Sequence, residues 1–226
     1  MLESLFFGVL VSCVTYELGG WLRKKTKISL INPLLFSIVA VIAILLACHI
    51  DYDTYYDGAK YLSYLLTPAT VCLAVPLYEQ VELLKKNVVA IVAGILSGAL
   101  TSVTCVLVLA MIFHFSHEQY VTLLPKSITT AIGMGISEEL GGIVTITVAA
   151  IIITGIIGNM FGDVICRLCG IRHPIATGLA IGTASHAMGT AKAMELGEIE
   201  GAMSSLSIAV SGLMTVIGAT IFYQLY

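Results

Sequence analysis

Six apolar runs divide this chain, at residues 2–22, 28–50, 61–78, 88–113, 142–165 and 202–223. As a helix, each is long enough to cross a hydrocarbon core of about 30 Å. Backbone at that depth has no water to bond to, so runs of this length persist there only as helices, whose peptide groups satisfy one another. The expected fold is an all-α polytopic membrane protein with about six full transmembrane helices. Composition agrees: 58% of the 226 residues are hydrophobic and 11% are charged, against roughly 25% charged in a soluble domain. The small net charge of −3 and the lack of a long basic run speak against nucleic acid or an acidic partner.

The first residues, Met1-Leu2-Glu3-Ser4, lack the positive region of a signal peptide, and no small-residue cleavage site follows. The first run therefore reads as a retained span. Four of the six cysteines lie inside apolar runs, and Cys166-Arg-Leu-Cys169 has no second ligand pair. Packing, not metal or redox chemistry, is the expectation, and no cofactor is called for. Arg23, Lys24, Lys25 and Lys27 follow the first run, Lys85 and Lys86 the third, and Arg167 and Arg172 the fifth. Basic loops stay in the cytoplasm, which puts both termini outside. The scheme is consistent only if two further segments do not cross fully.

Those segments, 118–141 and 173–200, are rich in Gly, Ser, Thr and carboxylates. Such backbone is tolerated at membrane depth only where protein buries it or it lines a cavity. They are expected to be re-entrant hairpins or broken helices. They also resemble each other: at a constant offset of 56 residues, Ala131, Gly133, Glu139, Leu140 and Gly141 match Ala187, Gly189, Glu195, Leu196 and Gly197. One apolar run lies between the copies, so the second would enter from the opposite side, giving an inverted repeat. Unwound segments meeting near the midplane in such repeats are the build of secondary transporters. The chain reads as one membrane domain over 1–226. Residues 1–60 would be N-terminal helices acting as scaffold or interface. Residues 61–226 would form a transport core with repeat segments 118–165 and 173–223.

Broken helices expose N–H groups that hold a carboxylate. Ser127, Thr129 and Thr130 in the first copy, and Thr183, Ser185 and His186 in the second, are accordingly the expected substrate-binding residues; capping or interhelical bonding is the competing explanation. Lys126 could counter an anion or snorkel to an interface. His186 could take the proton that drives uptake, but it does not form a hydrolase dyad with the adjacent Ser185, because neighbours on a helix point apart. No enzymatic activity is expected. Ionisable groups inside membrane segments mark ion or proton pathways, which makes Glu139 and Glu195, with Glu138, the expected coupling or structural carboxylates. Glu198 and Glu200 fit hairpin exits near water better. Pro68 and Pro76 interrupt the third run with a kink or a local unwinding. Gly94-Ile-Leu-Ser-Gly98 and Gly178-Leu-Ala-Ile-Gly182 predict close helix packing.

Five stretches carry a family resemblance: Leu66-Thr-Pro-Ala-Thr-Val-Cys-Leu-Ala-Val-Pro-Leu-Tyr78, Leu124-Pro-Lys-Ser-Ile-Thr-Thr130, Gly135-Ile-Ser-Glu-Glu-Leu-Gly-Gly142, Gly182-Thr-Ala-Ser-His-Ala-Met-Gly-Thr-Ala191 and Glu200-Gly-Ala-Met-Ser-Ser205. The chain resembles the LrgB/CidB family over essentially its whole length. That resemblance implies one of two roles. One is a holin-like or antiholin-like protein affecting murein hydrolase export and lysis, working with an LrgA/CidA-like membrane partner. The other is a carrier of monocarboxylates such as pyruvate, glycolate or glycerate. The expected setting is the bacterial inner membrane, as a homodimer by analogy with carriers of this build. The repeat and the intramembrane carboxylates favour a proton- or ion-coupled carrier working by alternating access.

Overall fold

A computed structural model describes residues 6–26, 32–72 and 74–226, all helical or in connecting turns. The starts of the first two expected spans, and Lys27, lie outside the described residues. The chain groups into two compact units, Met1–Cys72 and Leu73–Tyr226.

The first unit contains α1 (Phe7–Thr26), α2 (Pro33–Ala47), α3 (Tyr52–Ser63) and α4 (Leu66–Cys72). Asn32 caps α2, accepting from the Leu34 and Leu35 amides at 2.8 and 3.3 Å, and Pro33 fills the first helical position, where a missing N–H costs nothing. Hydroxyls join the helices: the buried Thr15 to Ser37 at 2.8 Å, and the half-buried Ser12 to Tyr55 at 2.8 Å.

The second unit begins with α5 (Ala74–Glu79) and α6 (Val81–Lys86). It continues with α7 (Val88–Phe113), α8 (His117–Leu123), α9 (Thr130–Glu139), α10 (Val144–Leu168), α11 (Pro174–Leu196) and α12 (Glu198–Phe222). A 3₁₀ turn at Tyr223–Leu225 ends it. Among the described residues, α7, α10 and α12 with its 3₁₀ tail are long and apolar enough to cross a membrane. The protein is a helical membrane protein. Its α2, of 15 residues, reaches only about 22 Å as a helix. The run 61–78 is not one span: it is divided among the end of α3, α4 and α5. Pro68 and Pro76 each fall in the first turn of a new helix, where proline ends the helix before it and is accommodated in the next.

The segments between the three long helices both turn back on themselves. In the first, Ser116 starts α8 with a capping box closed by Gln119, and the chain leaves helix before restarting at Thr130. A β-carbon placed on Gly133 would lie 3.5 Å from the Pro125 carbonyl oxygen. On a straight helix residues eight apart are separated by about 12 Å, so α8 and α9 fold into a hairpin. In the second, α11 is broken at His186 (φ 44°, ψ −141°), and a β-carbon on Gly189 would lie 2.9 Å from the Ile181 carbonyl oxygen. Pro125 and Gly133 correspond to Ile181 and Gly189 at the same offset of 56, so the turn is closed at equivalent places.

Lipid offers no hydrophobic drive between helices, and association rests on small residues that allow close approach. Gly178 and Gly182 on the first arm of α11 touch Glu200 and Ser204 of α12, while Gly201 of α12 touches Met194 on the second arm. Thr190 and Ser204 share a buried hydrogen bond of 2.8 Å. One buried cluster joins Val103 and Ala110 of α7 to Tyr120, Leu124 and Ile136 of the first hairpin and Ala219 of α12. Another joins Ile91 and Ile95 of α7 to Leu179 of the second hairpin and Met203 of α12. Each hairpin thus packs at a different end of α7 and α12.

Candidate functional site

The tips of the two hairpins open on one cavity of about 860 Å³, walled by α7, α10 and the first arm of α11. Glycines make room for the second tip. Gly94 and Gly98 on α7 face Leu179 and Thr183, and Gly158 and Gly162 on α10 face Ser185 and Ile181. Asn159 holds the broken backbone from α10, donating its side-chain amide to the Met188 carbonyl at 2.7 Å.

Lys126 and Ser127, in the turn of the first hairpin, line this cavity with Thr183 and Ser185 from the second. The Lys126 ammonium donates to Ser127 Oγ at 2.9 Å and reaches Ser102 Oγ of α7 at 3.5 Å. Ser102 in turn donates to Ser127 at 3.0 Å. Among the described residues no carboxylate pairs with Lys126, and no Asp or Glu lines the cavity. Thr183, only 7% exposed, is the one buried hydroxyl among the described residues without a hydrogen-bond partner. In a medium this poor in water, an unanswered cation and an unanswered hydroxyl both favour a ligand that accepts hydrogen bonds.

Other expected site residues stand apart from the cavity. Thr129 caps the start of α9 without a side-chain bond, and Thr130 is the first residue of that helix. His186 is 4% exposed. Its Nε2 lies 3.0 Å from the Ile151 carbonyl of α10, and since a carbonyl only accepts, the ring donates there. The ring is therefore tied to α10 and does not line the cavity, and it anchors the break in α11. Glu138 and Glu139 are exposed at the end of α9. Glu195 is exposed near the end of α11, where it pairs with Lys192 at 2.8 Å.

Ser102 and Asn159 were not anticipated from sequence. Ser102 continues the stripe of Gly94 and Gly98 at helical spacing, and Gly158-Asn-Met-Phe-Gly162 is a third small-residue motif, with Asn159 inside it. Both signals were present in the sequence.

Comparison with known proteins bears on these observations. The chain matches the LrgB-like family over residues 12–225. It is 39% identical over 207 residues to the holin-like protein CidB of Staphylococcus epidermidis, covering 92% of this chain and 90% of the relative. It is 38% identical over 223 residues to the antiholin-like protein LrgB of Bacillus subtilis, covering 98% and 96%. The antiholin-like protein LrgB of Bacillus cereus is 38% identical over 218 residues, covering 96% and 95%. No solved structure matches the chain.

Proposed function

The chain belongs to the LrgB-like family, and from that premise we propose that it acts in the bacterial inner membrane in a holin-like or antiholin-like capacity, changing what that membrane lets through. The names of its relatives support this reading over nearly the whole chain. Both kinds of name align at nearly equal identity, 39% and 38%, so the likeness does not separate promoting from opposing permeability. An LrgA-like membrane partner and a homodimer belong to the same proposal.

A second reading, of how permeability is exerted, is favoured by one observation: a cavity bounded by both hairpin tips holds a lone cation and an unbonded buried hydroxyl. It is that of a secondary carrier for a small monocarboxylate, with pyruvate, glycolate and glycerate the first to try, coupled to protons or ions by alternating access. A pore built from many copies needs no internal hairpin pair, whereas carriers built of inverted repeats bring such interruptions together at the binding site. The packing of the hairpins at different ends of α7 and α12 supports an inverted relation between them. Within this reading Lys126, Ser127, Thr183 and Ser185 hold the anion. Glu138, Glu139 and Glu195, at the outer ends of the arms, act in coupling. Saturable uptake of one labelled acid into proteoliposomes supports the carrier; unsaturable leak of unrelated solutes supports a pore.

A further inference from the structure

The cavity has one lysine pole and mostly apolar walls. Lys126 is the only Lys or Arg among its described lining residues, and an ammonium has three donors to place. Two hydroxyls, Ser127 and Ser102, receive them without supplying a counter-charge. Thr183 faces Gly98, one turn before Ser102 on α7, so the two residues meet neighbouring turns of the same helix. A hydroxyl so buried and unbonded is uncommon in folded proteins, and a carboxylate oxygen would accept from it.

Beyond the pole Ile157, Ile165, Ile175 and Leu179 make the walls mostly apolar, with Asn87 and His173 among the polar exceptions. The volume of about 860 Å³ lies in the range of sites that enclose drug-sized ligands, about 300–1,000 Å³. A three-carbon acid such as pyruvate has only six non-hydrogen atoms. It would occupy the pole and leave Leu179 and Ile157 facing water.

We infer that the ligand of this cavity is an amphipathic monocarboxylate, its carboxylate at Lys126, Ser127, Ser102 and Thr183 and an aromatic or medium-chain body along the α7, α10 and α11 walls. The inference rests on the carrier reading of the same site and narrows its substrate class. One positive charge with no carboxylate nearby matches a single negative charge, and a dianion would bring a second charge into apolar walls.

The test is binding of labelled phenylacetate to the full chain in nanodiscs, displaced by unlabelled phenylacetate or acetate, with empty nanodiscs as background. The two acids differ only by the ring, and burying a ring strengthens binding roughly tenfold or more. Phenylacetate should displace at a concentration at least tenfold lower than acetate. Lys126→Met and Thr183→Val should each weaken it at least tenfold. Thr183→Val keeps the side-chain shape and carries the test if Lys126→Met does not fold. Equal displacement by the two acids would overturn the inference and leave the carrier reading standing. Saturable phenylacetate binding that both variants retain would overturn the site. Absence of saturable binding would overturn the inference as well, and unsaturable leak of solutes from proteoliposomes would then overturn the carrier reading separately.

Discussion

Gly158 of α10 lies so close to Ser185 at the tip of the second hairpin that a β-carbon there would overlap the serine hydroxyl. The tip is seated in a notch that only glycine leaves open. Alanine is a better helix former by about 1 kcal/mol, but overpacking typically costs about 1–3 kcal/mol, and here the obstacle is the tip itself. Gly158→Ala should lower the melting midpoint of the purified protein and weaken anion binding. Gly135→Ala, where nothing lies within 4 Å of the new carbon, should leave both unchanged or raise the midpoint.

His186 combines a left-handed φ of 44° with a ring bonded to the Ile151 carbonyl at 3.0 Å. The conformation is strained for a residue with a β-carbon and persists because surrounding contacts hold it. His186→Ala keeps the strain and removes the bond, leaving the Ile151 carbonyl without that donor, a loss of about 1–3 kcal/mol. A lower melting midpoint is expected. Because the ring donates to a backbone carbonyl and does not line the cavity, His186→Gln should retain the pH dependence of uptake. Loss of that dependence would assign the coupling proton to His186.

Substitutions of the carboxylates at the arm ends would separate binding from coupling. Glu139 is exposed, and Glu195 pairs with Lys192 three residues earlier, a contact worth about 0.2–0.5 kcal/mol on a helix surface. Glu139→Gln and Glu195→Gln should melt within a degree or two of the parent and bind the anion within twofold. If they couple uptake to a gradient, only the gradient dependence should fall.

Much of the second unit was legible in the sequence, because what lipid demands is simple. Apolar runs of about 25 residues, charged only at Asp163, gave α7, α10 and α12, and glycine-rich polar stretches that no lipid-facing helix could hold gave the two hairpins. The offset of 56 carried as far as Pro125 with Gly133 and Ile181 with Gly189. The run 61–78 was harder, since hydropathy alone does not say that Pro68 and Pro76 restart helices instead of kinking one. At the site, Lys126, Ser127, Thr183 and Ser185 lie on the hairpin tips that line the cavity. Residue type alone did not distinguish them from Thr129, Thr130 and His186, which lie one to three residues further on and are not in the cavity lining. That difference arises from the direction of the chain at the break. Ser102 is legible only as the next position of the Gly94 and Gly98 stripe, because that stripe marks close packing and not which turn the hydroxyl meets.

The hairpin arrangement predicts sidedness. With Cys13, Cys48, Cys72, Cys105, Cys166 and Cys169 replaced, single cysteines at His114 and Gly141 should react with an impermeant thiol reagent from one side of the membrane. Those at Gly170 and Gly197 should react from the other. Labelling of all four from one side would remove the inverted relation.

Concentration-dependent uptake of a labelled monocarboxylate into proteoliposomes bearing the parent chain or Lys126→Met, with an unrelated neutral solute followed in parallel, separates a carrier from a pore. A carrier with this site should show uptake that saturates, excludes the neutral solute and is lost in the Lys126→Met protein. Uptake that rises without saturation, admits the neutral solute equally and is unchanged by Lys126→Met would contradict that reading.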